Sequence, residues 1–181
     1  MPQKLSERPE ELVRQFLVES IRPAEIEGYD PQQTDETATD FLPITSDWSF
    51  QGDYYPVISV RETDGPILPN SGNTNYNGIQ GDGSGPNQYT VFPINIAVQA
   101  VQAANGMGYR NGTSARDITF QIYQECNDRI QNNVTTAISE ALFVGMTPPT
   151  VTRSNTEADG GSTTTWIQQA GTINLGVLNT P

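Results

Sequence analysis

Histidine is absent from the 181 residues, lysine occurs once at Lys4, and cysteine once at Cys126. Without histidine, the one side chain that ordinarily titrates near neutrality is missing, so Ser-His-Asp and Cys-His arrangements are excluded within the chain. A lone cysteine forms no internal disulfide, and no Cys/His set can hold a metal. No apolar run approaches the roughly 18 residues of a membrane span. The first 25 residues are interrupted by Glu7, Glu10, Glu11, Glu19 and Glu25, which does not read as a signal peptide. A soluble protein with no membrane partner is expected.

Positive charge is scarce as well: 21 Asp plus Glu stand against 9 Lys plus Arg, a formal net charge of -12. Such a balance repels phosphate backbones and anionic surfaces, so nucleic acid is not expected as a direct partner. Like copies need screening before they pack. Adaptation to high salt is one physical account, because the screening length shrinks to about 3 Å at 1 M. An ordinary acidic protein is the other, since charged residues make up only 17% of the chain.

What is present suits one α+β domain over 1–181, a mainly antiparallel sheet with a long amphipathic helix packed on one face. Ser6, Pro9, Glu10 and Glu11 mark a helix start, Leu12, Val13, Phe16, Leu17 and Ile21 share a stripe, and Pro23 stops it, which predicts an N-terminal helix over about 6–22. An acidic, aperiodic stretch over about 25–46 predicts an extended arm. Its far end carries Phe41, Leu42, Ile44, Trp48 and Phe50, which point to packing rather than a fully solvated linker. Tyr54 to Arg61 reads as a strand. Residues 66–87 are rich in Gly, Asn, Ser and Pro and read as a long interaction loop.

Phe92, Ile94, Ile96, Val98 and Ala100 alternate with Pro93, Asn95, Ala97 and Gln99, the pattern of a strand with one buried face. Pro93 predicts an edge or a bulge at its start. Asn105-Gly106 and Asn111-Gly112 mark turns. Ser114 with Asp117 forms a capping pattern, and Ile118, Ile122, Cys126 and Ile130 recur every four residues, predicting a helix from about 115 into the 130s with Cys126 as a small buried hydrophobe. Residues around 141–144, 150–152 and 163–177 read as strands, with Gly171 as a bulge.

No chemistry gathers on these elements. The run Gly78 to Gly83 lacks a lysine and opens no helix, which argues against a phosphate cradle. Asp82 sits in a turn without the twelve-residue calcium pattern. The acceptor tripeptides at Asn111 and Asn133 have no secretory context. Catalytic, cofactor-binding and metal residues are therefore expected to be none, and a carboxylate-dependent hydrolase using Asp82 and Glu125 is the remote alternative. The residues expected at a subunit interface are Arg61, Asn73, Tyr76, Asp82, Asn95, Gln99, Arg110 and Arg116. The arginines, with Arg129, suit either a neighbour's carboxylates or local surface pairs.

The order of a first helix, the strand Tyr55-Pro56-Val57-Ile58-Ser59-Val60, the strand Phe92 to Val101, the helix 115–134 and a closing strand resembles the tail completion or tail terminator proteins at the neck of long-tailed viruses. With the acidic, lysine-poor composition, it looks like such a virus of a salt-loving archaeon. The resemblance implies a virion protein, assembled in the host cytoplasm, whose hexameric ring caps the tail tube and joins the head connector or closure protein. It also implies a sheet lining the ring with helices outside, and genomic DNA passing the lumen without sequence-specific binding, along a negative lining. A tail tube or head-closure subunit is the alternative.

Overall fold

The second helix shows most directly how local sequence sets this fold. The Ser114 Oγ accepts from the Asp117 backbone N–H at 3.1 Å and donates to the Asp117 carboxylate at 2.6 Å, so both residues close the helix start. Gly112 precedes this cap with φ of 88°, a left-handed conformation that glycine adopts without penalty. The computed structural model describes residues 8–29, 42–46, 56–62, 88–102, 112–137, 141–157 and 163–179. In chain order the elements are α1 (Pro9–Ser20), a 3-10 turn (Pro23–Glu25), β1 (Ile44–Thr45), β2 (Val57–Glu62), β3 (Gln88–Gln102), α2 (Ala115–Ala137), β4 (Ala141–Met146), β5 (Thr150–Glu157) and β6 (Thr163–Asn179).

The α+β class read from the sequence is the class of the structure: two helices accompany a mixed sheet of order β1-β2-β3-β6-β4, with β5 also paired to β6. β1 runs parallel to β2, and every other described pairing is antiparallel. β4 and β5 share one side of β6, where Pro148 and Pro149, which have no N–H to donate, separate them. Thr147 holds the junction: its N–H donates to the Thr172 carbonyl at 2.8 Å, and its Oγ1 accepts from the Thr172 N–H at 3.0 Å.

Both helices lie on one face of this sheet. Val13, Phe16 and Leu17 of α1 and Ile118, Ile122, Cys126 and Ile130 of α2 form one buried cluster with Ile58 and Val60, Ile94, Ile96 and Val98, and Ile173 and Leu175. Burying a side chain of this size contributes about 1.5–3 kcal/mol, so this layer dominates the favourable side of folding. Gly28 fixes how the chain leaving α1 meets α2: its N–H donates to Gln121 Oε1 at 2.7 Å, and a β-carbon there would crowd Gln121 and Thr113.

Several expectations need correction. The first helix spans Pro9–Ser20, not about 6–22: Arg8 is its N-cap, extended at ψ 144°, because the residue before a proline is pushed out of the helical region. It ends at Ser20 with Ile21 extended, and Arg22, the residue before Pro23, is held extended by the same effect. Residues 25–29 are not an extended arm. Ile26 and Tyr29 are buried, as is Leu42 at the far end, so described residues at both ends are packed. Residues 30–41 and the loop 66–87 lie outside the described residues, as do Phe41, Trp48 and Phe50.

β3 is interior over Ile94–Gln99, between β2 and β6. Its start lies at an edge among the described residues, as Pro93 predicts: the β2 register ends at Glu62↔Ile94, so Pro93 has a described partner only on the β6 side, opposite Asn174. Gly171 is no bulge. It pairs in unbroken register with Ile96, and its missing side chain makes room for the Tyr123 hydroxyl of α2. The register shift falls in β4, between Phe143 and Gly145.

Candidate subunit interface

Because strands alternate faces, the register identifies what lies opposite the helices. Three rows cross the sheet there: Arg61, Asn95 and Thr172; Ser59, Ala97, Ala170 and Thr150; and Val57, Gln99, Gln168 and Thr152. Val101 and Trp166 pair beyond them. Among the described residues no helix covers this face and no carboxylate lies on it. The side chains described on it are mostly amides, hydroxyls and small groups, with Arg61 as the charged residue among them.

Its centre is closely set. Ser59 and Ala97 are 2% and 0% exposed, while Asn95 and Gln99 are half-buried. The Asn95 amide donates to the Gly171 carbonyl at 3.3 Å, tying the side chain across to β6. Gln99 Oε1 is buried with no hydrogen-bond partner among the described residues. A buried acceptor left without a donor costs about 1–3 kcal/mol.

Of the eight residues expected at an interface, the structure brings Arg61, Asn95 and Gln99 onto this one face. Arg116 is exposed on the first turn of α2, in the other layer. Asn73, Tyr76, Asp82 and Arg110 lie outside the described residues. Sequence reasoning missed the partners of this face on β6 and β5, Thr150, Thr152, Gln168 and Thr172, whose register was not readable from alternation alone.

The other charged groups are locally engaged. Arg129 binds Glu125 at 2.6 Å and Glu25 at 3.1 Å, so this arginine takes the local-pair alternative. The Glu125 hydrogen bond is the main cause that raises its pKa further. Arg14 pairs with Glu11 in α1, and the hydrogen bond to its guanidinium holds the Glu11 carboxyl below its usual range. Arg14 also donates to the Ile44 carbonyl at 3.4 Å beside a largely apolar cleft of about 390 Å³ between α1 and β1. Glu62 lies near Glu10, which accepts from the Glu62 backbone N–H at 3.0 Å. Desolvation first and the Glu10 charge second push the Glu62 carboxyl up. Cys126 is buried, and burial pushes its thiol up.

Among the described residues, no group of three or more His, Cys, Asp or Glu is placed to hold a metal ion. No described helix is long and apolar enough to cross a membrane. The described residues form a two-layer α+β unit with both helices on one face of the sheet and no described helix on the other. No protein-family model matches the chain, and no curated protein matches it in sequence.

Proposed function

We propose that this chain is a non-catalytic structural protein of a virion neck, a tail terminator whose hexameric ring caps the tail tube and joins it to the head connector, in a tailed virus of a halophilic archaeon. The observation that carries this reading is the segregation of both helices to one sheet face, which leaves Arg61, Asn95 and Gln99 together on the other. With the sheet turned inward, that face meets the adjoining copies and rings around the lumen. Among the described residues this lining carries no carboxylate, so DNA passes their amides and hydroxyls. Molar salt screens the charge of -12 per copy.

Electron micrographs of the purified chain in about 1 M salt test this. Closed rings of six copies are expected, and open stacks or monomers at every salt concentration overturn it. Gln99→Glu, which places a carboxylate on the helix-free face of every copy, is expected to lower ring yield with an unchanged circular dichroism spectrum. Undiminished rings from that variant remove this face from the contact.

A further inference from the structure

The sheet has one margin whose features fit together. β5 pairs with β6 through its full length, and among the described residues no strand pairs with its other edge. An open edge is a template for another extended chain. Thr150, Val151, Thr152 and Arg153 are all exposed.

The α2 flank over β6, on the side toward this edge, is unusual in the same way. Gln121, Glu125 and Arg129 form the opposite flank, turned toward Gly28 and Glu25. Tyr123 sits over Gly171 on the β6 side, and Phe120 and Arg116 continue that side at spacings of three and four residues. Phe120 is 49% exposed and Val151 51%, two of the three large exposed hydrophobics among the described residues. Val151 lies opposite Gln169, on the helix-covered face, so both apolar groups are on the same side of the sheet. Arg116 and Arg153 add two of the chain's nine basic residues to this margin.

We propose that this margin receives the acidic segment 30–41 of a second copy, added beside β5 as a further strand. The inference rests on the ring reading and supplies its subunit contact. Asp30, Asp35, Glu36 and Asp40 bring four carboxylates to a margin that holds two arginines, with Asp35 alternating onto the face of Phe41 and Arg153, and no lysine or arginine occurs anywhere over 23–60. Phe41 supplies an apolar group for the Phe120 and Val151 side. Such pairing combines main-chain hydrogen bonds with charge selection.

Chain length argues that the segment comes from another copy. It leaves and returns on the α1 side of α2, at Tyr29 and Leu42. Twelve extended residues span at most about 40 Å. Reaching β5 of the same chain means crossing β3 and β6, at about 4.8 Å per strand, and the width of a helix, in both directions. That route leaves too little length to lie along β5. Donation to the next copy is instead head-to-tail, the interface type that closes into a ring.

Two variants of the full chain that each gain one cysteine, Ala38→Cys and Thr152→Cys, both on the face away from Phe41 and Val151, test the proposal when mixed under mild oxidation. Cys126 is 1% exposed and stays silent. The expected result is a cross-linked species of twice the chain mass, well above the level in either variant alone. Adding Arg153→Glu to the Thr152→Cys chain is expected to reduce its yield several-fold at about 0.15 M salt, where charge pairs are least masked among the working conditions. Rings in micrographs without this cross-link overturn the proposal and leave the ring reading standing. Monomers without it overturn both, and a cross-link formed only inside an Ala38→Cys, Thr152→Cys double variant shows occupation by the same chain and also overturns the proposal.

Discussion

The Tyr123 hydroxyl occupies the space that a β-carbon on Gly171 would take, so a helix residue and a strand residue far apart in sequence constrain each other. The same hydroxyl is buried with no hydrogen-bond partner among the described residues, and burial pushes the phenol up to about 12. Gly171→Ala is therefore expected to destabilise by about 1–3 kcal/mol through overpacking. Tyr123→Phe removes an unpartnered polar atom and is expected to stabilise by about 1 kcal/mol. In the double variant the cost of the Gly171→Ala change shrinks, because the ring carbon that remains is 3.0 Å from the added β-carbon rather than overlapping it. Urea unfolding of the four proteins measures this coupling, and strictly additive costs contradict it.

The pair also shows where sequence reading stops. Gly171 in a threonine-rich strand looks like a bulge, because nothing local indicates that a tyrosine from α2 lies above it. The start of α2, by contrast, was legible: Ser114, Asp117 and the four-residue recurrence of isoleucine and Cys126 are local signals, and the cap forms as read. β3 was legible by alternation, but not its extension to Gln88 or its interior place, which depend on β2 and β6 as partners. For the candidate interface, sequence alone points to Arg61, Asn95 and Gln99 one by one; their shared face follows only from strand register.

The cap itself is expected to matter. Ser114→Ala removes the oxygen that accepts from the Asp117 N–H, at a cost of about 1 kcal/mol. Thermal or urea unfolding reads this directly, and an unchanged midpoint contradicts it.

Glu62 gives a pH-dependent expectation. Its folded-state pKa lies above the ordinary 4.5 of a glutamate, so the folded state favours the protonated form. Its stabilising contribution is full below 4.5 and is lost as pH rises through the folded value. Glu62→Gln is therefore expected to raise the melting temperature at neutral pH and to have little effect below pH 4.5. An equal gain at both pH values contradicts the assignment.

Cys126, on the buried stripe of α2, is expected to resist thiol reagents in the folded protein. Reaction should begin only with unfolding, tracking the urea transition. Rapid labelling in native buffer contradicts its placement.

The central claim is that this chain assembles into a closed ring, and its native mass tests that most directly. Sedimentation velocity of the unmodified chain, from low salt to about 1 M, follows assembly as self-repulsion is screened. The expected result is a discrete species of six times the 19.8 kDa chain mass that gains population as salt rises. A single species of one chain mass across the whole range contradicts the account.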